Sequence, residues 1–422
     1  MQARIIPHKT GDAHIRVPSS KSLCHRYLIA AGLAQGNSQL GNINFNDDIQ
    51  ATLNVLHKCG ISCKRQADEL FIAGNGGIIN YDGSLIDVGE SGSTLRFLLP
   101  LLVNSGQEVS FKGHGKLMQR PLSVYQQIIE NSGGSFVIID DILKVNGSFP
   151  AGHYEIRGDI SSQFISGLLL ALPLQEEDST ITIIPPYESK TYVDLTIEVL
   201  QKAGITIRQD GLTYMIPGSR QYQPLEAQIP ADDSAAAFFA IQALISKRRI
   251  TIEGMRKDSR QADHRIVDIC RQFGGSVQEE DERCSFTSGP LKAARIDLSD
   301  CPDLGPILFV LASLIPQETC FINAGRLRLK ESDRIEAMKQ ELSRFAIDMQ
   351  SDGDTVCIKG RTDIAGGICI DPHGDHRIAM AMAILASIAE KPCIINDAQT
   401  VNKSYPDFFQ DLIKTDVEVQ FL

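Results

Sequence analysis

Apolar positions along this chain alternate between two periods. Ile49, Ala51, Leu53, Val55 and Leu56 give residues 48–56 the spacing of a half-buried helix, and Cys59-Gly60-Ile61 follows as a small-residue break leading into a strand. The same order of amphipathic helix, break and β-branched strand recurs at 122–129 before 133–137, and at 193–200 before 203–207. It returns at 265–270 before 273–277, at 334–338 before 345–347, and at 408–413 before 417–419. Segments 166–174 and 235–245 are apolar on every side, as helices enclosed by protein are. Gly133-Gly134 and Gly274-Gly275 suit a helix-to-strand turn that needs positive φ.

The units number about six at a spacing of roughly 70 residues, which is repeat architecture. They predict an α/β protein of two domains, three units each, with room in every unit for further strands and a buried helix. An ordinary doubly wound sheet is the alternative, although no Gly-x-Gly-x-x-Gly follows a strand and no P-loop is present. The polar, proline-containing stretch 222–230 is the best boundary, and the short extended segment before Pro18 is expected to join the second half.

At 422 residues the chain exceeds one ordinary core. Its net charge of −11 argues against nucleic acid as a partner, because that binding rests on a basic face. Residues 1–7 lack a signal-type apolar run, and the longest apolar runs, 235–245 and 378–388, fall short of a bilayer span. The expectation is a cytoplasmic protein, not bound to membrane. The 10 cysteines are scattered and read as structural or buried thiols of a reducing compartment. Cys59 and Cys63 have no second pair at zinc-site spacing, and Cys24 falls on an apolar helix face.

Against this acidic background, several short segments set Lys or Arg beside hydroxyls and carboxylates. Ser19-Ser20-Lys21-Ser22 opens a helix with Arg26 one turn on. It is either a cap with a stray lysine or a seat for an anion on helix-start N–H groups. Residues 87–96 form a second Gly/Ser-rich helix start, in which Gly92 allows close backbone approach and Arg96 follows. Ser161-Ser162-Gln163 precedes an apolar helix, as an ordinary N-cap does too. Lys330-Glu331-Ser332-Asp333-Arg334 is a solvated charge run or a proton-transfer group with a tuned pKa. Asp375-His376-Arg377 caps the apolar run 378–388, and its two nearby histidines, His373 and His376, are too few for a metal site. Asp303 precedes a further apolar run, 304–315, where a carboxylate is at least a cap. Cations, hydroxyls and carboxylates together suit an enzyme acting on small phosphorylated or carboxylated metabolites.

Taken in order, Ser20-Lys21-Ser22 with Arg26, Gln119-Arg120-Pro121-Leu122, Ser161-Ser162-Gln163, Lys330–Arg334, Asp375-His376-Arg377 and Lys403-Ser404-Tyr405-Pro406-Asp407 resemble the 5-enolpyruvylshikimate-3-phosphate synthases nearly end to end. The resemblance implies a two-domain inside-out α/β barrel, each domain three βαβαββ repeats with buried helices. Its domains are 19–229, and 1–18 plus 230–422, with hinges near 18–19 and 229–230 and closure on the substrates. It implies enolpyruvyl transfer from phosphoenolpyruvate to the 5-hydroxyl of shikimate 3-phosphate, with no metal and no organic cofactor, and most simply a monomer.

By the same resemblance, Lys21, Ser22, Arg26, Ser161, Ser162, Gln163, Ser189, Asp303 and Lys330 contact shikimate 3-phosphate. Lys21, Gly92, Arg120, Gln163, Arg334, Arg377 and Lys403 hold phosphoenolpyruvate. Asp303 is the base toward the hydroxyl, and Glu331, Lys21 or His376 serves the enol carbon, with Glu331 favoured. Glu90 and Arg326 stand where the family often has Asn. The related UDP-N-acetylglucosamine enolpyruvyl transferases are the nearest alternative, although residues 114–119 lack the cysteine they carry there. A noncatalytic anion-binding repeat protein, or a relative of RNA 3′-phosphate cyclase, is a third reading, opposed by the acidic charge and by Asp303 with Glu331.

Overall fold

One repeat shows the local logic. His153–Arg157 is a strand, Ser162–Ala171 a buried helix, Ser179–Ile184 a second strand and Lys190–Lys202 an amphipathic helix; Arg208–Asp210 and Thr213–Ile216 close it as a hairpin. A helical crossover makes the first two strands parallel, and the hairpin adds to them antiparallel. In this computed structural model, which describes residues 1–7 and 11–422, the βαβαββ pattern recurs as six four-stranded sheets among the described residues.

Three sheets lie in Ser19–Ile229, and three in a unit made of Met1–Pro18 with Pro230–Leu422. Each unit closes on itself by borrowing strands. Glu226–Gln228 pairs with Gln35–Gly41 and completes the first sheet of its unit from the far end. In the other unit Ala13–Arg16 pairs with Ile250–Glu253, while Ala3–Ile6 lies between Cys393–Ile395 and Glu418–Phe421. The N-terminal segment therefore completes two sheets of that unit.

Each unit has its own apolar core, built around helices that are enclosed nearly all round. Asp233–Ser246 is buried at all but its last residue, and His376–Ala386 throughout. The amphipathic helices cover the outside of these cores. Their ends explain where the observed strands depart from the sequence reading. The Ile205 N–H bonds to the Leu200 carbonyl (2.9 Å), Ile61 to Leu56 (3.0 Å) and Ile347 to Leu342 (3.2 Å). These are six-to-one helix-closing bonds, and the residue before each holds positive φ: Gly204 82°, Gly60 77°, Ala346 57°. Ile205, Ile61 and Ile347 are buried plugs of the turn, and the strands begin after them, at Arg208, Ser62 and Asp348. The segment expected as one helix over 166–174 ends as helix at Ala171 and tightens into the 3-10 turn Leu172–Leu174, where Pro173 lacks an N–H.

The reading of every cysteine as a thiol is corrected. Cys320 and Cys357 lie opposite each other on neighbouring antiparallel strands and form a disulfide. The pairing could not be seen in sequence, because it depends on the register of strands 37 residues apart. No helix among the described residues is long and apolar enough to cross a membrane.

Candidate active site

Most of the predicted residues lie at helix starts, in both units, while Arg120, Lys330 and Lys403 lie at the ends of 3-10 turns. In Ser19–Ile229, Ser20 caps Lys21–Leu33 and puts Lys21 and Ser22 in its first turn. Ser91 caps Gly92–Val103, Ser161 caps Ser162–Ala171, and Ser189 precedes Lys190–Lys202 in the left-handed region (φ 52°). Helix starts carry partial positive charge and unpaired N–H groups, so this placement favours anions.

Lys21 Nζ donates to Asp48 Oδ2 at 2.8 Å. Arg26 is almost wholly enclosed, donating to Thr196 Oγ1 (2.7 Å) and to the carbonyls of Ser22 (2.6 Å) and Tyr192 (2.8 Å). Its Cζ also lies 4.8 Å from the centre of the Phe97 ring. Burial pulls its pKa down to about 9. Arg26 thus ties the helix Lys21–Leu33 to the helix Lys190–Lys202. Arg96 does the same beside it: Nη1 donates to Gln163 Oε1 (2.7 Å) and Nη2 to the Pro121 carbonyl (3.0 Å), while Gln163 Nε2 reaches Ser93 Oγ (3.0 Å). Gly92 lies under this layer, since a Cβ there would stand 2.7 Å from Arg96 Nη1 and 3.1 Å from Arg120 Nη1. Ser162 and Ser189 are buried, and Ser22, Ser161, Gln163 and Arg120 are half-buried. Glu90 packs its carboxylate toward Gly115, where a Cβ would meet Oε1 at 2.6 Å.

In the other unit the cations face carboxylates. Asp303 Oδ1 accepts from Arg334 Nη1 (3.0 Å) and pairs with Lys330 Nζ (3.1 Å), while Oδ2 accepts from Arg377 Nη2 (3.1 Å). Burial alone would raise its pKa; Arg377, Lys330 and Arg334 outweigh that and hold it well below the ordinary carboxylate value. Arg334, 1% exposed, also donates from Nε to Asp375 Oδ2 (2.8 Å) and from Nη2 to Glu331 Oε2 (2.9 Å). Burial opposes its charge, but Asp375, Glu331 and Asp303 together raise its pKa. Burial lowers the Lys330 pKa to about 8; Arg334 and Arg326 push the same way, against Asp303. Lys403 Nζ lies 3.8 Å from Glu331 Oε1. His376 is buried, with Nδ1 3.7 Å from Asp375 Oδ1.

All the predicted residues of this unit therefore fall in one network around Arg334, apart from His376, which borders it through Asp375. The sequence reading gave no role to three residues of consequence, although it quoted one of them, Asp375, in a motif. Asp375 is fully buried and accepts from Arg334, from Ser332 Oγ (3.2 Å) and from the Arg377 N–H (2.9 Å). Its place before His376-Arg377 was the available signal. Ser234 accepts from Arg377 Nη2 at 2.9 Å, and Asp48 holds Lys21. Neither stands out in sequence, because Ser and Asp at a helix start are ordinary caps. A depression of about 800 Å³ lined by Val124, Ile128, His153 and Arg157 contains none of the predicted residues.

Comparison with known proteins bears on this arrangement. Residues 7–412 match the family model described as EPSP synthase (3-phosphoshikimate 1-carboxyvinyltransferase). A 3-phosphoshikimate 1-carboxyvinyltransferase of Clostridium kluyveri is 39% identical over 405 residues, 95% of this chain and 94% of that protein. One from Clostridium novyi is 38% identical over 423 residues, 97% of this chain and 96% of the relative. Among solved structures, an EPSP synthase from Acinetobacter baumannii superposes with TM-score 0.82 at 25% identity, covering 100% of both chains. An enolpyruvyl transferase from Streptomyces tendae shares the fold, with TM-score 0.78 at 13% identity over 99% of this chain and 98% of its own.

Proposed function

The chain belongs to the EPSP synthase family, and from that membership we infer that it transfers the enolpyruvyl group of phosphoenolpyruvate to the 5-hydroxyl of shikimate 3-phosphate, releasing phosphate. This is a step of aromatic amino acid biosynthesis by the shikimate pathway. The observation that carries the chemistry is Asp303, a carboxylate gripped by Lys330, Arg334 and Arg377.

We assign the sites as follows. Lys21, Ser22, Arg26, Ser161, Ser162, Gln163 and Ser189 bind shikimate 3-phosphate, joined by Asp303 and Lys330 toward the ring hydroxyls. Hydroxyls and helix-start N–H groups suit a phosphate, which accepts many hydrogen bonds. Arg26, being enclosed, supports this seat mainly by fixing Ser22 and Tyr192. Lys21, Gly92, Arg120, Gln163, Arg334, Arg377 and Lys403 bind phosphoenolpyruvate, whose carboxylate and phosphate need several cations.

In the reaction the 5-hydroxyl loses a proton and attacks C2 of phosphoenolpyruvate while C3 gains a proton. The tetrahedral intermediate then loses a proton from C3 and expels phosphate. Asp303 accepts the hydroxyl proton. Three cations make it a weak base at rest; when anionic substrate engages Arg334 and Arg377, their hold relaxes and its basicity returns. Glu331 donates to C3, in preference to Lys21 or His376. The cations stabilise charge as it moves onto the departing phosphate. A cytoplasmic location and a monomeric state belong to the same reading.

The test is phosphate release with phosphoenolpyruvate and shikimate 3-phosphate, run beside a reaction with UDP-N-acetylglucosamine. Release with shikimate 3-phosphate alone is expected. Release only with the sugar nucleotide would overturn the assignment.

A further inference from the structure

Away from these residues, the sheet of Arg295–Asp297, Thr319–Ile322, Thr355–Lys359 and Asp348–Asp352 presents an unusual row on its outer face. The register sets Arg295 beside Cys320, Cys320 opposite Cys357, and Cys357 beside Gln350. Their neighbours Ile296, Phe321, Val356 and Met349 are buried on the core face, so the row points the other way. The Cα atoms of Cys320 and Cys357 are 4.2 Å apart, the close spacing of narrow pairs in an antiparallel ladder. Glu318, exposed, begins the same strand edge, with Oε1 3.9 Å from Cys320 Sγ. One ligand atom from each of Glu318, Cys320 and Cys357 falls within 4.8 Å of the others.

We propose that Glu318, Cys320 and Cys357 form a metal site that opens when the disulfide is reduced, and that it takes one soft-to-borderline divalent cation of the Zn²⁺ class. The chemistry balances with a dithiol as reductant. The dithiol gives two electrons and two protons, becomes a cyclic disulfide, and leaves Cys320 and Cys357 as thiols. The cation then binds both sulfurs and displaces the two thiol protons to solvent. Tetrahedral Zn²⁺ with bonds of about 2.3 Å to sulfur needs the sulfurs about 3.7 Å apart. Adjacent strands with facing side chains supply that separation by side-chain rotation alone, without backbone movement. Glu318 adds a carboxylate oxygen, and the half-exposed position leaves water for the fourth place. Arg295, the one cation in the row, favours thiolate over thiol and offsets the net negative charge of two thiolates and a carboxylate around one divalent ion.

The oxidised and reduced forms are mutually exclusive: a sulfur committed to its partner is a poor donor, so oxidation expels the metal. None of the three residues belongs to the proposed substrate sites, so the test is independent of the assigned reaction. The full chain is reduced with a dithiol under anaerobic conditions, freed of reductant, and titrated with Zn²⁺ against a chromophoric chelator. The wild type should bind one more equivalent than Cys320→Ser/Cys357→Ser, and Glu318→Gln should bind it about tenfold more weakly. Oxidising the wild type should abolish that equivalent. The unbonded cysteines Cys63 and Cys369, both half-buried, are common to all variants and cancel in the difference. Equal zinc uptake by wild type and double variant, or full uptake with the disulfide intact, would overturn the site. Unchanged phosphate release in the folded double variant separates this outcome from any failure of the functional assignment.

Discussion

The two units share a repeat plan but arm it differently. In Ser19–Ile229 the buried arginines Arg26 and Arg96 donate to hydroxyls, an amide and backbone carbonyls, and Asp48 on Lys21 is the main carboxylate. In the other unit Arg334 alone touches Asp303, Glu331 and Asp375. Neutral acceptors leave a guanidinium its charge for a ligand at little cost. Carboxylates neutralise the cations in advance, so an incoming anion must compete with Asp303 and Glu331. On the proposed assignment, that competition couples binding to proton affinity, since an anion that engages the arginines loosens their hold on Asp303. The proposed assignment follows this contrast, giving proton transfer to the unit rich in ion pairs and the phosphate seat to the unit of neutral acceptors.

The sharpest test of that contrast is Asp303→Ala. Turnover should fall by roughly 10²–10⁴-fold with shikimate 3-phosphate affinity mostly retained, read from steady-state kinetics and equilibrium binding. Near-normal turnover would remove Asp303 from the reaction.

Next in size is stability. Arg334→Met strands Asp375 in the interior and should cost about 3–5 kcal/mol in denaturant unfolding. Arg26→Met leaves only neutral groups unsatisfied and should cost about 1–3 kcal/mol. Adding Asp375→Asn to Arg334→Met should recover part of the loss. Equal costs for the two arginines would erase the distinction between the units.

Acid should also separate them. His25, in the unit of neutral acceptors, is wholly buried. Nδ1 bonds to Thr52 Oγ1 (2.7 Å) and Nε2 has no partner among the described residues; burial first, then Lys21 and Arg26, lower its pKa to about 3 against the pull of Asp48. Between about pH 6.5 and 3 the unfolded chain binds a proton the native one refuses, so stability falls as pH falls, on the order of 1.4 kcal/mol per unit. His25→Gln should flatten that slope. The Asp303 contribution, whose folded pKa is depressed, persists at neutral pH. It is lost only as the pH drops through and below the ordinary carboxylate range. Parallel slopes for wild type and His25→Gln between pH 6.5 and 4.5 would contradict this order.

The smallest effect is local. Gly92→Ala places a methyl 2.7 Å from Arg96 Nη1, which Gln163 holds, and 3.1 Å from Arg120 Nη1, so the melting temperature should fall slightly. The KM for phosphoenolpyruvate should nonetheless rise as Arg120 is displaced. An unchanged KM would take Gly92 out of the assigned site.

Much of this molecule is legible without coordinates, for physical reasons. Helical and strand periods are local, so the repeats, the enclosed helices and the positive-φ turns at Gly133 and Gly274 could be read from residues a few places apart. Lys21 and Arg334 showed themselves as cations set beside hydroxyls and carboxylates in a chain of net charge −11, whereas Ser161, an ordinary cap by itself, showed itself only in order with the other motifs. Other features depend on distant segments meeting. The borrowed strands Ala3–Ile6, Ala13–Arg16 and Glu226–Gln228, the seat of Arg26 on Thr196, and Asp375 beneath Arg334 rest on contacts that no local pattern encodes. The pairing of Cys320 with Cys357 belongs with these: a slip of one residue in strand register would point one sulfur into the core, so only the assembled sheet decides that they meet.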